Sequence, residues 1–235
     1  MICLVDERIS EKCERSLLKR GFRVIKMPRS KNLGSSVASH PDMLLFYHNG
    51  TLITSSEYCD EIPYIFSDIR EFSSTSFIFT SDTQKPSYPQ DAIFNALCIG
   101  EHVFLKEDTV SDAVKEYTGK RGLTPVAVKQ GYPACTVLAF GNNAITADKG
   151  MEKALSKAGI KVTLISNGDI SLPPYEYGFI GGASGVLGKT VYFLGDPMLH
   201  RDGAKITGAI TDAGYNFLAL SDEPLSDLGR IIFIE

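Results

Sequence analysis

A strand, an acidic residue, a helix, a glycine and a second strand recur in this order along the chain. Four copies are clear, and they begin with ICLVDE (2–7), VFLKED (103–108), AITAD (144–148) and VYFLGD (191–196). The copy at 51–89 has strands but no clean helical period, so only a short helix or 3₁₀ turn is expected there. Serial units of about 47 residues indicate an array or a propeller.

Each clear copy places an aspartate and a glycine where a helix begins and ends. The aspartates are Asp6, Asp108, Asp148 and Asp196, and the glycines are Gly21, Gly122, Gly159 and Gly214. A carboxylate at an N-cap accepts free backbone N–H groups, and a glycine after the last turn adopts the left-handed conformation easily. Helix capping is therefore the first interpretation of these aspartates, and catalysis the second.

A second marker, an aromatic residue or His followed by Pro, precedes a short apolar strand at His40-Pro41, Tyr88-Pro89 and Tyr132-Pro133. Degenerate copies lie at 177–188 and 226–235. Hairpin turn signals at Asn49-Gly50 and Gly141-Asn142 predict that each third strand pairs antiparallel with the first strand of the next unit. The chain is predicted to be one domain, 1–235, of strand–helix–strand–strand modules, with boundaries at about 1–49, 50–100, 101–141, 142–188 and 189–235.

Composition limits the functional classes. The formal net charge is −4, from 24 basic and 28 acidic residues, which argues against a general nucleic-acid or membrane-surface partner. The five cysteines form no CxxC, so neither a zinc ribbon nor a thioredoxin motif is indicated. No signal peptide or membrane span is visible, and a cytoplasmic protein with free thiols is expected. Neither metal nor cofactor is expected, and the oligomeric state is left open.

The modules resemble those of the pentein superfamily, the fold of the guanidino-group-modifying enzymes. The resemblance rests on the repeat plan and on the segments HPDMLLF (40–46), YPACTVLAF (132–140) and YGFIGGASG (177–185). It implies an α/β fold with five-fold pseudosymmetry, an α/β propeller around a central cavity. The superfamily contains deiminases, amidinotransferases and dimethylarginine hydrolases, and also a non-catalytic ribosome anti-association factor.

In the enzymes of that superfamily, an acidic residue holds the guanidinium, a His transfers protons and a Cys of the last module attacks the guanidinium carbon. This sequence has no Cys after Cys135. The last module therefore lacks that nucleophile, and the catalytic triad is not transferred to this chain.

The pseudosymmetry predicts that the segments before the third strand of each module meet at one end of the cavity. These segments contain His40/Asp42, Gln90/Asp91, Gln130/Tyr132/Cys135, Glu176/Tyr177/Ser184 and Ser226/Asp227. His40, Asp42 and Cys135 are the catalytic candidates, with Cys135 as a displaced nucleophile beside His40. The structural alternatives are a turn in which Asp42 bonds the local backbone, and a small buried residue at Cys135.

The candidate ligand-binding residues are Gln130, Tyr132, Glu176, Gly181, Gly182 and Ser184. Glu176 either faces the cavity or is an exposed loop acid. The glycine-rich run 178–188 precedes a strand, so it is not a phosphate loop. Two explanations remain, an anion nest that lines the cavity and glycines required where strands crowd together.

These features support two main hypotheses. The first is an enzyme, a hydrolase or transferase, that acts on a small guanidino- or amide-bearing metabolite in the central cavity. The second is a non-catalytic pentein that binds a small ligand, a protein or the ribosome. An assembly protein is a third possibility, which an open sheet edge or a large exposed apolar patch would favour.

Overall fold

The strands of successive repeats combine into small three-stranded sheets in a computed structural model that describes residues 1–235. The strands are β1 (Ile2–Asp6), β2 (Arg23–Met27), β3 (Leu45–His48), β4 (Thr51–Ser55), β5 (Ser76–Thr80), β6 (Leu97–Ile99), β7 (His102–Leu105), β8 (Thr124–Ala127), β9 (Val137–Phe140), β10 (Asn143–Thr146), β11 (Lys161–Leu164), β12 (Ile170–Ser171), β13 (Ser184–Leu187), β14 (Thr190–Phe193), β15 (Asn216–Ala219), β16 (Leu225–Ser226) and β17 (Ile232–Ile234). The helices are α1 (Glu11–Lys19), α2 (Pro41–Leu44), α3 (Ser56–Glu61), α4 (Pro63–Phe72), α5 (Asp112–Lys120), α6 (Pro133–Thr136), α7 (Lys149–Lys157) and α8 (Gly203–Asp212), with a 3₁₀ turn at Pro197–Leu199.

Five sheets share one topology. In each, the strand that ends one repeat pairs antiparallel with the first strand of the next, and that strand pairs parallel with the strand after the helix. The sheet orders are β3-β4-β5, β6-β7-β8, β9-β10-β11, β13-β14-β15 and β17-β1-β2, and β12 and β16 form a separate parallel pair. The final strand completes the first sheet through the Ile2–Ile234 register. The predicted antiparallel pairing between successive units is therefore confirmed.

The central strands β1 and β4 are buried along their whole length. This burial explains why their sequences, ICLVD and TLITS, have no polar face, since helices and neighbouring segments cover both sides of such strands. The longest helices have ten residues, and none has the length and hydropathy of a membrane-crossing segment.

One of the four predicted aspartate caps is confirmed, because Asp148 Oδ1 accepts the N–H groups of Gly150 at 2.7 Å and Met151 at 2.8 Å at the start of α7. Asp196 caps the 3₁₀ turn through Met198 N–H instead of the predicted helix α8, which begins after Asp202. The glycine prediction also holds at the end of α7, where Gly159 has a φ of 79°.

The capping prediction is wrong for Asp6 and Asp108. Ser10 caps α1 and Ser111 caps α5, because each helix begins several residues after its aspartate. Asp6 instead lies fully buried and accepts hydrogen bonds from Arg8.

The prediction of a short helix or 3₁₀ turn after β4 holds for the six-residue helix α3 but missed the longer helix α4, which follows it in the same segment. Pro63 begins α4, whose buried face is formed by Ile65, Phe66 and Ile69. Pro63 falls where α3 gives way to α4, so the segment shows no single helical period.

Candidate functional site

Strands β3, β6, β9, β13 and β17 each pair antiparallel with the first strand of the next repeat, and we call them the inner strands. The segments that precede them converge on one cavity of about 600 Å³. Its lining combines acids, aromatic rings, a thiol and an imidazole, and we call it the acidic cavity. The lining residues are Val37, His40, Met43, Tyr88, Asp91, Gln130, Tyr132, Cys135, Leu172, Tyr175, Glu176, Tyr177, Phe179 and Asp227. Neither Lys nor Arg is among them. The structure therefore brings together the predicted residues His40, Gln130, Tyr132, Cys135 and Glu176.

The Cys135 thiol donates a hydrogen bond to Asp42 rather than to His40. The Sγ–Oδ2 distance is 2.9 Å, and Asn95 Nδ2 donates to the same sulfur at 3.1 Å. Asn95 also fixes helix α6, because its Oδ1 accepts the Ala134 N–H at 2.8 Å. Burial, followed by the negative charges of Asp42 and Asp227, raises the pKa of the Cys135 thiol well above its ordinary value. The sulfur is therefore a protonated thiol in the unliganded protein.

Asp42 lies on the far side of Cys135 and does not line the acidic cavity. Its burial raises the pKa of its carboxyl to about 6, although the hydrogen bond from Cys135 and the charge of Arg230 oppose this rise. Its Oδ1 is buried without a hydrogen-bond partner. A proton acceptor with a pKa near 6 thus contacts the only thiol of the cavity.

Asp227 enters the cavity from the segment before β17. Its Oδ2 accepts the Phe179 N–H at 2.8 Å and its Oδ1 accepts the Gly229 N–H at 3.1 Å. Burial and the nearby charge of Asp42 raise the pKa of Asp227 to about 7, against these two hydrogen bonds. Asp227 precedes β17, and no Cys follows Cys135 in the sequence.

Asp91 and Tyr132 form a third polar group. Tyr132 Oη donates to Asp91 Oδ2 at 2.8 Å, while Asp91 Oδ1 is buried without a partner. Burial raises the pKa of Asp91. Gln130 orients this segment, since its Oε1 accepts the Tyr132 N–H at 3.1 Å and its Nε2 donates to Asp148 at 2.9 Å.

His40 lines the cavity, and both of its buried ring nitrogens lack hydrogen-bond partners. The nearest acid is Asp6, whose Oδ2 lies 3.7 Å from Nε2. Burial lowers the pKa of His40 to about 4, and the charge of Asp6 opposes this only in part. The imidazole is therefore neutral at pH 7, and its two ring nitrogens are buried without a partner.

Gly181, Gly182 and Ser184 do not line the cavity. The Gly182 N–H donates to the Cys135 carbonyl at 2.9 Å, and the Ser184 hydroxyl donates to the Ile180 carbonyl at 2.8 Å. A Cβ atom on Gly182 would collide with the Asp227 carboxyl. These contacts favour crowding over an anion nest as the reason for the glycine run, which packs behind Cys135 and Asp227.

The sequence predicted Tyr132 and Tyr177 at the cavity but missed the other aromatic residues of its rim, Tyr88, Tyr175 and Phe179. Tyr88 and Tyr132 pack with ring centroids 5.4 Å apart, and Tyr175, Tyr177 and Phe179 complete the aromatic lining. Tyr88 and Tyr175 are 49% and 58% exposed. The Tyr-Pro marker at Tyr88-Pro89 was the one available signal, whereas Tyr175 lies in a loop without a repeat equivalent.

The fold is that of the penteins, as comparison with solved structures shows. A dimethylarginine dimethylaminohydrolase from Pseudomonas aeruginosa, in complex with citrulline, superposes with a TM-score of 0.58 at 11% identity, over 94% of this chain and 92% of that one. An amidinotransferase of saxitoxin biosynthesis from Microseira wollei gives 0.53 at 9% identity, over 94% and 88%. An inosamine-phosphate amidinotransferase from Streptomyces griseus gives 0.53 at 13% identity, over 97% and 83%.

Within this fold the chain belongs to a specific family. Residues 4–232 match the model described as "Family of unknown function (DUF6873)". No curated protein matches the sequence. At 9–13% identity, the structural likeness establishes the fold alone.

Proposed function

We propose that this protein binds a small organic cation, a guanidino- or amide-bearing metabolite, in the acidic cavity and acts on it as a hydrolase or transferase. The observation that carries the proposal is the lining itself. Three carboxyl groups, from Asp91, Glu176 and Asp227, meet a thiol in a cavity without Lys or Arg.

The electrostatics favour a cation. Burial raises the pKa values of Asp91 and Asp227, so ionising them in the empty cavity is unfavourable. A bound cation offsets that penalty, because an opposite charge within a few ångströms stabilises the carboxylate. The unpartnered Asp91 Oδ1 is an acceptor for a guanidinium N–H.

The aromatic rim adds affinity for the same class of ligand. A cation over the face of a tyrosine is stabilised by about 0.5–2 kcal/mol, and the rings also cover the apolar part of an organic molecule. Tyr88, Tyr132 and Tyr175 belong to this lining. The combination of rings and carboxyls favours an organic cation over a metal ion.

In the proposed reaction, Asp42 accepts the Cys135 proton and the sulfur bonds to the central carbon of the ligand. The amine leaving group departs with that proton. Water, or an acceptor amine in a transferase, then attacks the same carbon and gives a proton to His40. The carbon–sulfur bond then breaks. In a transferase His40 returns its proton to the thiolate, and in a hydrolase the proton of the new hydroxyl group goes to the thiolate while His40 releases its proton to the departed amine or to solvent. A bound cation assists the first step, because it lowers the pKa of the thiol.

A second candidate is a non-catalytic pentein that binds a small ligand, a protein or the ribosome. The Cys135–Asp42 hydrogen bond favours it, because this contact holds the thiol protonated and leaves His40 without a contact to sulfur. Both candidate functions use the same cavity, but only the enzyme would convert the bound ligand into a product.

We further infer that the five sheets surround one axis as an α/β propeller. We also infer that the protein is cytoplasmic. Residues of β3, β6, β9, β13 and β17 line one central cavity, which supports the propeller. The five free cysteines are consistent with a reducing compartment.

The test combines ligand binding with product release. Thermal-shift screening against arginine, agmatine, citrulline, methylarginines and related amides identifies a ligand, and urea or amine release is then measured with it. The enzyme proposal predicts that Cys135→Ser abolishes release but retains binding, while Cys59→Ser changes neither. Binding without release favours the second candidate, and a screen in which no compound binds contradicts cation binding.

A further inference from the structure

A second cavity, of about 240 Å³, lies on the other side of the Cys135–Asp42 pair. Asp42 lines this cavity and Cys135 lines the acidic one, so their hydrogen bond is part of the wall between the two. Side chains of the five inner strands form most of the second lining, and nearly all of them are apolar. We call it the apolar cavity.

Arg230 is the one permanently charged cation in this apolar lining. Its backbone has a φ of 70°, and its N–H donates to the Gly182 carbonyl at 2.9 Å. The nearest ionisable groups are Asp42, Cys135 and Cys98, and no hydrogen bond or salt bridge engages the guanidinium. Five N–H donors are thus presented to the cavity without an acceptor.

Arg230 is half-buried, so an anion in the cavity would replace the remaining water around its guanidinium with charge-assisted hydrogen bonds. A carboxylate matches the planar fork of Arg through two parallel hydrogen bonds. Phosphate or sulfate fits less well, because the apolar walls offer few donors for its remaining oxygen atoms. The volume lies below the range of about 300–1,000 Å³ usual for ligand pockets, so the ligand is small.

We propose that the apolar cavity is a second ligand site, which binds a small aliphatic monocarboxylate with its carboxylate on Arg230 and its hydrocarbon chain among the inner strands. This site does not depend on the proposed function of the acidic cavity. Asp42 is the only acid of this lining, and no hydrogen bond or salt bridge joins it to Arg230. A carboxylate on Arg230 also removes cationic support from the Cys135–Asp42 pair.

The probe is butyrate, and its neutral isostere butyramide is the matched control. Calorimetric titration of wild type is expected to show saturable butyrate binding and none for butyramide. Arg230→Gln should weaken butyrate binding at least about ten-fold, and Arg230→Lys should retain part of it. Absent butyrate binding, equal binding of butyramide, or equal affinity in Arg230→Gln overturns the proposal.

A second measurement uses the wild-type protein, in case the Arg230 variants fail to fold. Cys98 lines the apolar cavity, and Cys59, half-buried beside Asp60, lies outside it. Alkylation of each thiol by anionic iodoacetate and neutral iodoacetamide is followed at pH 9 by mass spectrometry. The iodoacetate-to-iodoacetamide rate ratio should be several-fold higher at Cys98, and butyrate should slow Cys98 alone. Equal ratios without butyrate protection contradict an anion site.

Discussion

The acidic and apolar cavities share the Cys135–Asp42 wall but differ in the parts of the fold that build them. Segments before the inner strands line the acidic cavity, whereas the inner strands themselves supply much of the apolar lining. A strand side chain must pack against its neighbours across the sheet, while an irregular segment is free to carry polar groups. In each repeat the strands therefore form the packed framework, and the segments before the inner strands carry the polar side chains of the acidic cavity.

Their charges differ as well. Three carboxyl groups face the acidic cavity, and a guanidinium faces the apolar one. Asp42 belongs to both environments, since its charge acts on the Cys135 thiol and on Arg230. A change at Asp42 is therefore expected to affect both cavities, while changes elsewhere should affect only one.

The largest effect on stability is expected for Asp227→Ala. This change leaves the half-buried Phe179 N–H and the buried Gly229 N–H without their acceptor, at about 2–4 kcal/mol of unfolding free energy. Glu176→Ala, which removes an exposed acid from the same lining, should stay within about 0.5 kcal/mol. Urea unfolding measures both variants. Equal unfolding midpoints for Asp227→Ala and Glu176→Ala would show that the Asp227 hydrogen bonds do not stabilise the fold.

The next effect is chemical and concerns the shared wall. Asp42→Asn removes a negative charge and a hydrogen-bond acceptor from Cys135, both of which raise the thiol pKa. Alkylation of Cys135 by iodoacetamide at pH 7 should then be faster, by about ten-fold for each unit by which the pKa falls toward neutrality. Cys59 is the internal reference. An unchanged rate in Asp42→Asn argues against electrostatic control by Asp42.

Tyr175→Ala tests the rim of the acidic cavity. Loss of the ring should weaken cation binding by about 1 kcal/mol, or about five-fold, with little effect on stability because Tyr175 is 58% exposed. Tyr64→Ala, which removes a tyrosine 59% exposed outside the cavity, should leave the affinity unchanged. Titration of all three proteins decides whether the rim contributes.

The smallest effect is expected for Ala139→Val, which adds two methyl groups to the apolar lining. Stability should change by less than about 1 kcal/mol, since the cavity can accept the added volume. Butyrate binding should weaken, and cation binding in the acidic cavity should remain within two-fold, about 0.4 kcal/mol. A parallel loss of both would mean that the cavities are not separate sites.

The sequence was a good guide wherever local chemistry decides structure. The turn at Asn49-Gly50 and the spacing of the Pro markers predicted the strand pairing, and the convergence of His40, Tyr132 and Cys135 followed from it. Helix starts were less predictable, because a nearby serine competes with aspartate for the cap, as Ser10 does with Asp6. The partner of Cys135 was not predictable, since the direction of a side chain depends on packing between modules.

The placement of Glu176 and Arg230 was likewise not predictable from the sequence. From the sequence, Glu176 was either a cavity residue or an exposed loop acid. In the structure it is both, since it lines the cavity and lies exposed in a loop. Arg230 precedes β17 within an ordinary run of one charged and several apolar residues. Nothing local marks its positive φ or its place in the central lining.

The most direct test of cation binding in the acidic cavity is calorimetric titration of agmatine at pH 6.5 in two buffers of different ionisation enthalpy. The pKa values of Asp42 and Asp227, about 6 and about 7, lie above the usual Asp value, so binding a cation favours loss of their protons. We predict saturable binding with proton release, an affinity that rises from pH 5 to pH 8, and strong weakening in Asp91→Asn. Absent binding, proton uptake, or an Asp91→Asn variant with wild-type affinity would contradict it.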